Sequence, residues 1–192
     1  MKYTTLISLV AGILFLSSCK NASTPENGAA YKVPEEILAI PEGVTYGLRA
    51  PEIELPSING ETMKLSDLQG RIVLLDFWAA WCNPCRMENP NLVKAYAKYH
   101  DVSFTEGEGF EIVSVSIDRN ESAWKKAVEE DNLSWPYQLS DLEGAKSKAA
   151  IDYGITMIPT NFLLDKNGVI IATNLRGELL EEKLESLVKQ EK

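Results

Sequence analysis

The run Ile72-Val73-Leu74-Leu75-Asp76-Phe77 is apolar at both odd and even positions. Side chains of a strand alternate between two faces, so such a run predicts a central strand covered on both sides. Trp81-Cys82-Asn83-Pro84-Cys85 follows within a few residues. Met87 to His100 then predicts a helix, with Leu92, Val93, Tyr96 and Tyr99 at helical spacing and a kink expected at Pro90.

The remaining pattern fits around that strand. Glu52 to Leu55 alternates like a half-buried strand, Ser57-Ile58-Asn59-Gly60 is a turn, and Glu61 to Leu65 is the return strand. Ser66-Asp67-Leu68 starts a short helical turn. Residues 101–109 predict a loop, and Glu111 to Ile117 the next strand. Ser122 to Asp131 is helical, with Asn120 or Ser122 as the cap. Residues 133–142 are expected to be irregular, and Ala145 to Tyr153 helical up to Gly154. Lys166-Asn167-Gly168 between two apolar runs is a hairpin signal. Glu178 to Lys189 closes the chain as an amphipathic helix. This order predicts an α/β fold: a mixed central sheet in a three-layer sandwich, helices on both faces, and an extra N-terminal β-hairpin.

The N-terminus is not expected to belong to that fold. Leu6 to Leu16 is an apolar run of 11 residues. It is too short for a hydrocarbon layer of about 30 Å but suits a signal peptide. Leu16-Ser17-Ser18-Cys19 resembles a bacterial lipoprotein box, which implies lipidation at Cys19. Residues 1–18 then form the signal peptide, 19–47 the lipidated cysteine and tether, and 48–192 the folded domain. The tether reading rests on KNASTPENGAA, residues 20–30, which is small and polar. Lipid on Cys19 leaves two cysteines of three, both in the CxxC. Export also places them where disulfides persist. The net charge of −9 and the lack of a basic cluster exclude nucleic acid as a partner.

A CxxC is a redox dithiol, half of a zinc site, or a structural disulfide. Zinc needs about four ligands, and the chain adds only His100 at the far end of the helix. A structural disulfide gains with loop length, and this loop is minimal. The redox reading has a positive case. Cys82 falls at a helix N-terminus, where free N–H groups favour a thiolate, and Pro84 fits the first turn. Cys85 falls one turn in. This predicts an exposed attacker, Cys82, and a protected resolver, Cys85, needing no cofactor or metal. Cys85 must lose a proton. Asp76, among apolar neighbours, is a candidate acceptor with a raised pKa. Glu88, three residues after Cys85, is a rival.

Val73 to Cys85 resembles the active-site strand and turn of thioredoxin, and Tyr153 to Thr160 resembles the loop carrying that fold's cis-proline. The hairpin and the stretch from Asp118 to Gly154 resemble the membrane-tethered TlpA/ResA branch. The similarity covers roughly residues 48–190. It implies a thiol–disulfide oxidoreductase with a cis bond before Pro159. Trp81, Pro84, Ile158 and Pro159 would line the substrate side, and Asp76 and Glu88 would match active-site carboxylates. The partners it implies are protein disulfides (those of apocytochrome c among them), a membrane or periplasmic electron donor, and the membrane through the lipid. It further implies an exported, membrane-anchored location facing the periplasm or cell exterior. Two other readings share the fold. A peroxiredoxin-type peroxidase would place Thr or Ser where Ala79 stands, and a binding module would not need Cys82.

Overall fold

The computed structural model describes residues 31–190, so the signal peptide, Cys19 and residues 20–30 of the tether lie outside the described residues. Helix α1 is Glu35–Leu38, and strands β1 (Glu54–Pro56) and β2 (Thr62–Lys64) form the N-terminal hairpin. Strand β3 (Ile72–Trp78) leads into α2 (Asn83–Tyr99). The short hairpin β4 (Ser103–Phe104) and β5 (Gly107–Glu108) precedes β6 (Phe110–Ser116) and α3 (Glu121–Glu130). Then come β7 (Tyr137–Leu139), α4 (Lys148–Asp152), β8 (Thr160–Leu164), β9 (Ile170–Thr173) and α5 (Glu178–Leu187).

Five strands form the main sheet in the order β7-β6-β3-β8-β9. β3 is parallel to β6 and antiparallel to β8, so it is flanked on both edges as well as covered on both faces. Every one of its residues is buried. Its alternate residues separate two cores. Ile72, Leu74 and Trp78 join Leu92, Ala95 and Tyr99 of α2, Trp124 of α3, and Leu180 and Leu184 of α5. Val73, Leu75 and Phe77 join Leu55, Leu65 and Leu68 from the N-terminal hairpin region, and Ala149 and Tyr153 around α4. By that alternation Asp76 shares the face of Leu74 and Trp78, which is the face carrying α2.

An open sheet has two edges whose backbone groups need partners, and the segment before β3 covers both. At β9, Gly47 N–H donates to the Ile170 carbonyl at 2.9 Å, Ile170 N–H to Leu48, and Ala50 N–H to Gly168. Tyr31 donates its hydroxyl to Asn167, and Val33 is buried. The folded unit therefore reaches back to Tyr31, beyond the boundary expected at residue 48. At the other edge, Ile58 N–H donates to Gln138 at 2.8 Å and Ser140 N–H to Pro56 at 3.1 Å.

Three segments differ from the expectation: the helix expected over Ala145–Tyr153 is a 3-10 turn at Gly144–Lys146 followed by α4, and the other two are strand regions. β7 lies in the stretch expected to be irregular; its three residues satisfy β6 on one side and the N-terminal segment on the other, a requirement invisible in local pattern. Residues 101–109 are the β4–β5 hairpin rather than a plain loop. Thr105 N–H donates to Leu187 at the end of α5, and Gly109 has φ +80° with no room for a Cβ beside the His100 carbonyl.

Beneath this hairpin lies a buried carboxylate. Glu111 meets Arg71 at 3.3 Å and His100 Nδ1 at 3.2 Å, and burial pushes its pKa up while the two bases hold it down. Removing a partner from such a pair leaves a costly charge. Arg71→Met should lose about 3 kcal/mol in urea unfolding at neutral pH. Adding Glu111→Gln should restore most of it; a double variant as weak as Arg71→Met would contradict this account.

Candidate active site

The reactive end is built where β3 meets α2. Cys82 is the N-cap residue of α2, and its Sγ accepts the Cys85 N–H at 3.2 Å. Asn83 and Pro84 fill the first turn, where a missing N–H leaves no bond unmade. Cys82 and Cys85 are joined by a disulfide. The pairing expected from sequence is therefore formed. The expected contrast in exposure is not: Cys82 is 4% exposed and Cys85 1%. In the disulfide form both sulfurs belong to the apolar core on the α2 face.

The turn between Trp78 and Cys82 is held from two sides. Asp118, buried at the end of β6, accepts the Ala80 N–H at 2.8 Å and the Ser116 hydroxyl at 2.7 Å. Arg86 reaches back from α2 to the Ala80 carbonyl at 3.3 Å. Its guanidinium is a fork on Asp131 and also meets Glu130, which ties the first turn of α2 to the end of α3. Asn89 donates to the same Asp131 at 2.6 Å. Forked pairs of this kind fix direction as well as distance. Neither Asp118 nor Arg86 stood out in the sequence.

Asp76 is 4% exposed, opposite Ser114 on β6 and Asn161 on β8. Burial pushes its carboxyl from the usual 3.8 up to about 7. The Arg176 charge holds it down, Glu88 pushes it up, and a hydrogen bond with Asn161 holds it down. A carboxyl at that value exchanges protons near neutrality. Glu88 is differently placed: it is half-buried, accepts the Gly177 N–H at 2.7 Å and accepts from Asn91 at 3.1 Å. Its oxygens are engaged at the start of α5.

The Ile158–Pro159 bond is cis, as the resemblance implied. Arg176, which the sequence did not single out, donates from Nη2 to the Pro159 carbonyl. Beside this turn an open groove of about 920 Å³ is lined by Ala80, Trp81, Ile155, Met157, Ile158 and, at its far wall, Arg119. Trp81 is 65% exposed and Met157 73%. Both are large apolar side chains left in water at the edge of the groove. Pro84, in the first turn of α2, is exposed as well. Among the described residues there is no cluster of His, Cys, Asp or Glu able to hold a metal. No helix among them is long and apolar enough to cross a membrane.

A mixed sheet between helical layers, a disulfide at a helix N-terminus and a cis-proline before β8 define, with the solved relatives, a thiol–disulfide oxidoreductase of thioredoxin-like fold. The chain belongs to the AhpC/TSA family, which matches it over residues 46–173. The thiol-disulfide oxidoreductase ResA of Bacillus thuringiensis subsp. konkukian is 33% identical over 149 residues, covering 78% of this chain and 80% of that protein. ResA of Bacillus anthracis is 30% identical over 190 residues, 99% of this chain and 98% of its own. Among solved structures, the thioredoxin domain of a thiol-disulfide oxidoreductase from Bacteroides vulgatus superposes with a TM-score of 0.69 at 37% identity. That match covers 77% of this chain and all of that domain.

The Asp76 carboxyl makes stability depend on pH in a definite sense. Its pKa is higher folded than unfolded, so the unfolded chain ionises first as pH rises. Stability is lost between about pH 4 and about pH 7, and a rise from 3.8 to about 7 is worth about 4 kcal/mol. Asn cannot ionise. Denaturation of Asp76→Asn should therefore gain on the parent by about 4 kcal/mol on going from acid to slightly alkaline pH. A stability gap that stays flat with pH would show that Asp76 is not the buried acid described.

Proposed function

We propose that this oxidoreductase reduces protein disulfides outside the cytoplasm, held to a membrane by lipid on Cys19. The observation that carries the chemistry is the Cys82–Cys85 pair at the start of α2, with Asp76 on the same face of the sheet. In the reduced enzyme, Cys82 Sγ attacks one sulfur of a substrate disulfide. The S–S bond of the substrate breaks, a Cys82–substrate disulfide forms, and one substrate thiolate leaves. Cys85 then gives its proton to Asp76, and the resulting thiolate attacks Cys82. The mixed disulfide breaks, the second substrate thiolate leaves, and the enzyme ends in the disulfide form.

The unequal roles follow from position. Cys82 lies where unpaired N–H groups and the helix dipole favour the thiolate. Cys85 lies a turn deeper, nearer the buried strand. Asp76 is the better acceptor of the two carboxylates, because Glu88 is engaged by Gly177 and Asn91. The substrate strand would take the groove, with Trp81 and Met157 of its lining as apolar contacts, and the resemblance adds Pro84 and the backbone at Ile158 and Pro159 to the substrate side. The reductive direction and the export rest on the TlpA/ResA resemblance, on the Leu6–Leu16 run and on Cys19. Among protein disulfides, those of apocytochrome c are one substrate that the resemblance allows. A membrane or periplasmic dithiol donor closes the cycle by reducing Cys82–Cys85.

Trapping tests the reading. Cys85→Ser lacks the resolver, so mixed disulfides through Cys82 should accumulate on the native membrane and run as larger species that collapse with reductant. Cys82→Ser should trap nothing and lose essentially all disulfide reduction. Equal trapping by both variants, or full activity in Cys82→Ser, would sink the proposal.

A further inference from the structure

The loop between β9 and α5 carries three consecutive residues, each tied to a different part of the site. Leu175 is locked to β8: Asn161 Nδ2 donates to its carbonyl at 2.7 Å, and its N–H donates to Asn161 Oδ1 at 2.8 Å. Asn161 is the register partner of Asp76. Arg176 donates to the carbonyl of Pro159, the cis residue. Gly177, with φ +51° at the head of α5, donates to Glu88 of α2 at 2.7 Å. The groups that set the charge environment of Asp76 thus come from three elements, Asn161 from β8, Glu88 from α2 and Arg176 from this loop, with Ser114 of β6 opposite it on the other side.

Such a constellation exceeds what a plain connection needs. A loop joining an edge strand to a surface helix needs no half-buried guanidinium directed at a substrate-side turn. Nor does it need its backbone closed on both sides by an asparagine that faces the reactive carboxylate. An arginine has five donors in a rigid fork and remains charged at any working pH. Placed here, it is at once a brace and a fixed positive charge.

The geometry points to Arg176 as a positioning residue of the dithiol site: it anchors the Pro159 turn through its carbonyl and sets the charge that Asp76 faces, so that one loop controls both the substrate edge and the proton acceptor. This rests on the assignment of Asp76 as the acceptor for Cys85. Desolvation works to keep the Asp76 carboxyl protonated, and a protonated carboxyl accepts nothing. Glu88 pushes in the same direction. Arg176, held beside the site by its bond to the Pro159 carbonyl, supplies the positive charge that acts against them. Loss of that charge should raise the pH range over which Asp76 can accept a proton.

Two substitutions separate the charge from the brace. Arg176→Gln keeps a donor for the Pro159 carbonyl and removes the charge. Arg176→Lys keeps the charge and gives up the fork. The readout is the titration of the Asp76 carboxyl, followed by 13C NMR in the full-length disulfide form, beside the pH profile for reduction of a protein disulfide. In Arg176→Gln the Asp76 midpoint should rise by roughly one pH unit, and the alkaline shift should appear in the pH profile. In Arg176→Lys the midpoint should stay near that of the parent. An unchanged midpoint in a folded Arg176→Gln protein overturns the inference. A midpoint that rises while the pH profile stays put supports the electrostatic role of Arg176 and instead removes Asp76 from the proton transfer, so the two failures are told apart. If Arg176→Gln does not fold, Arg176→Met read against Arg176→Lys makes the same comparison.

Discussion

The burial of β3 on both faces and both edges is the constraint on which the reactive end depends. A strand that exposes nothing fixes the direction of every side chain it carries. Leu74, Asp76 and Trp78 must face α2, and Val73, Leu75 and Phe77 must face the hairpin and α4. Where that strand ends, α2 begins, and Cys82 becomes its N-cap. A carboxylate in such a strand has no water to lean on, so its neighbours decide its protonation. The chemistry of the pair and the titration of Asp76 are consequences of one packing arrangement.

The same constraint accounts for the polar framework around the turn. Asp118 and Arg86 hold Ala80 from opposite sides, and Asn161, Glu88 and the Leu175–Gly177 loop close the space behind Asp76. Each bond gives a partner to a polar group of a turn or loop that has left the sheet. The disulfide packs in the apolar core on the α2 face, the turn before it is held by charged hydrogen bonds to Ala80, and Trp81 and Met157 stand exposed. Rigid below and adherent above is what exchange with a polypeptide disulfide requires, because the incoming sulfur must be aligned with a thiolate that does not move.

Much of this was legible in the sequence because it is written in local pattern. The both-parity run announced β3, Asn167-Gly168 announced the β8–β9 hairpin, and Cys82-Asn83-Pro84-Cys85 announced a helix start. What escaped depends on partners far along the chain. β7 is three residues long and exists because β6 and the N-terminal segment both need it. Residues 31–47 read as a tether because the partners they meet, such as Ile170 for Gly47 and Asn167 for Tyr31, lie far along the chain. Arg176 lies 17 residues from the carbonyl it holds and follows an edge strand, with no period or motif to mark it. The burial of Cys82 was missed for a related reason. Helix position speaks for thiolate stability, whereas exposure is set by the groove and the core around the disulfide.

The central claim is that the two cysteines are unequal because α2 begins at Cys82. The most direct test is the pH dependence of alkylation in the fully reduced protein, with each cysteine followed separately by mass spectrometry. Cys82 should react first, with a midpoint well below the ordinary thiol value of about 8.5, while Cys85 stays largely unmodified until more alkaline pH. Alkylation of both at one common midpoint, or of Cys85 ahead of Cys82, would contradict it.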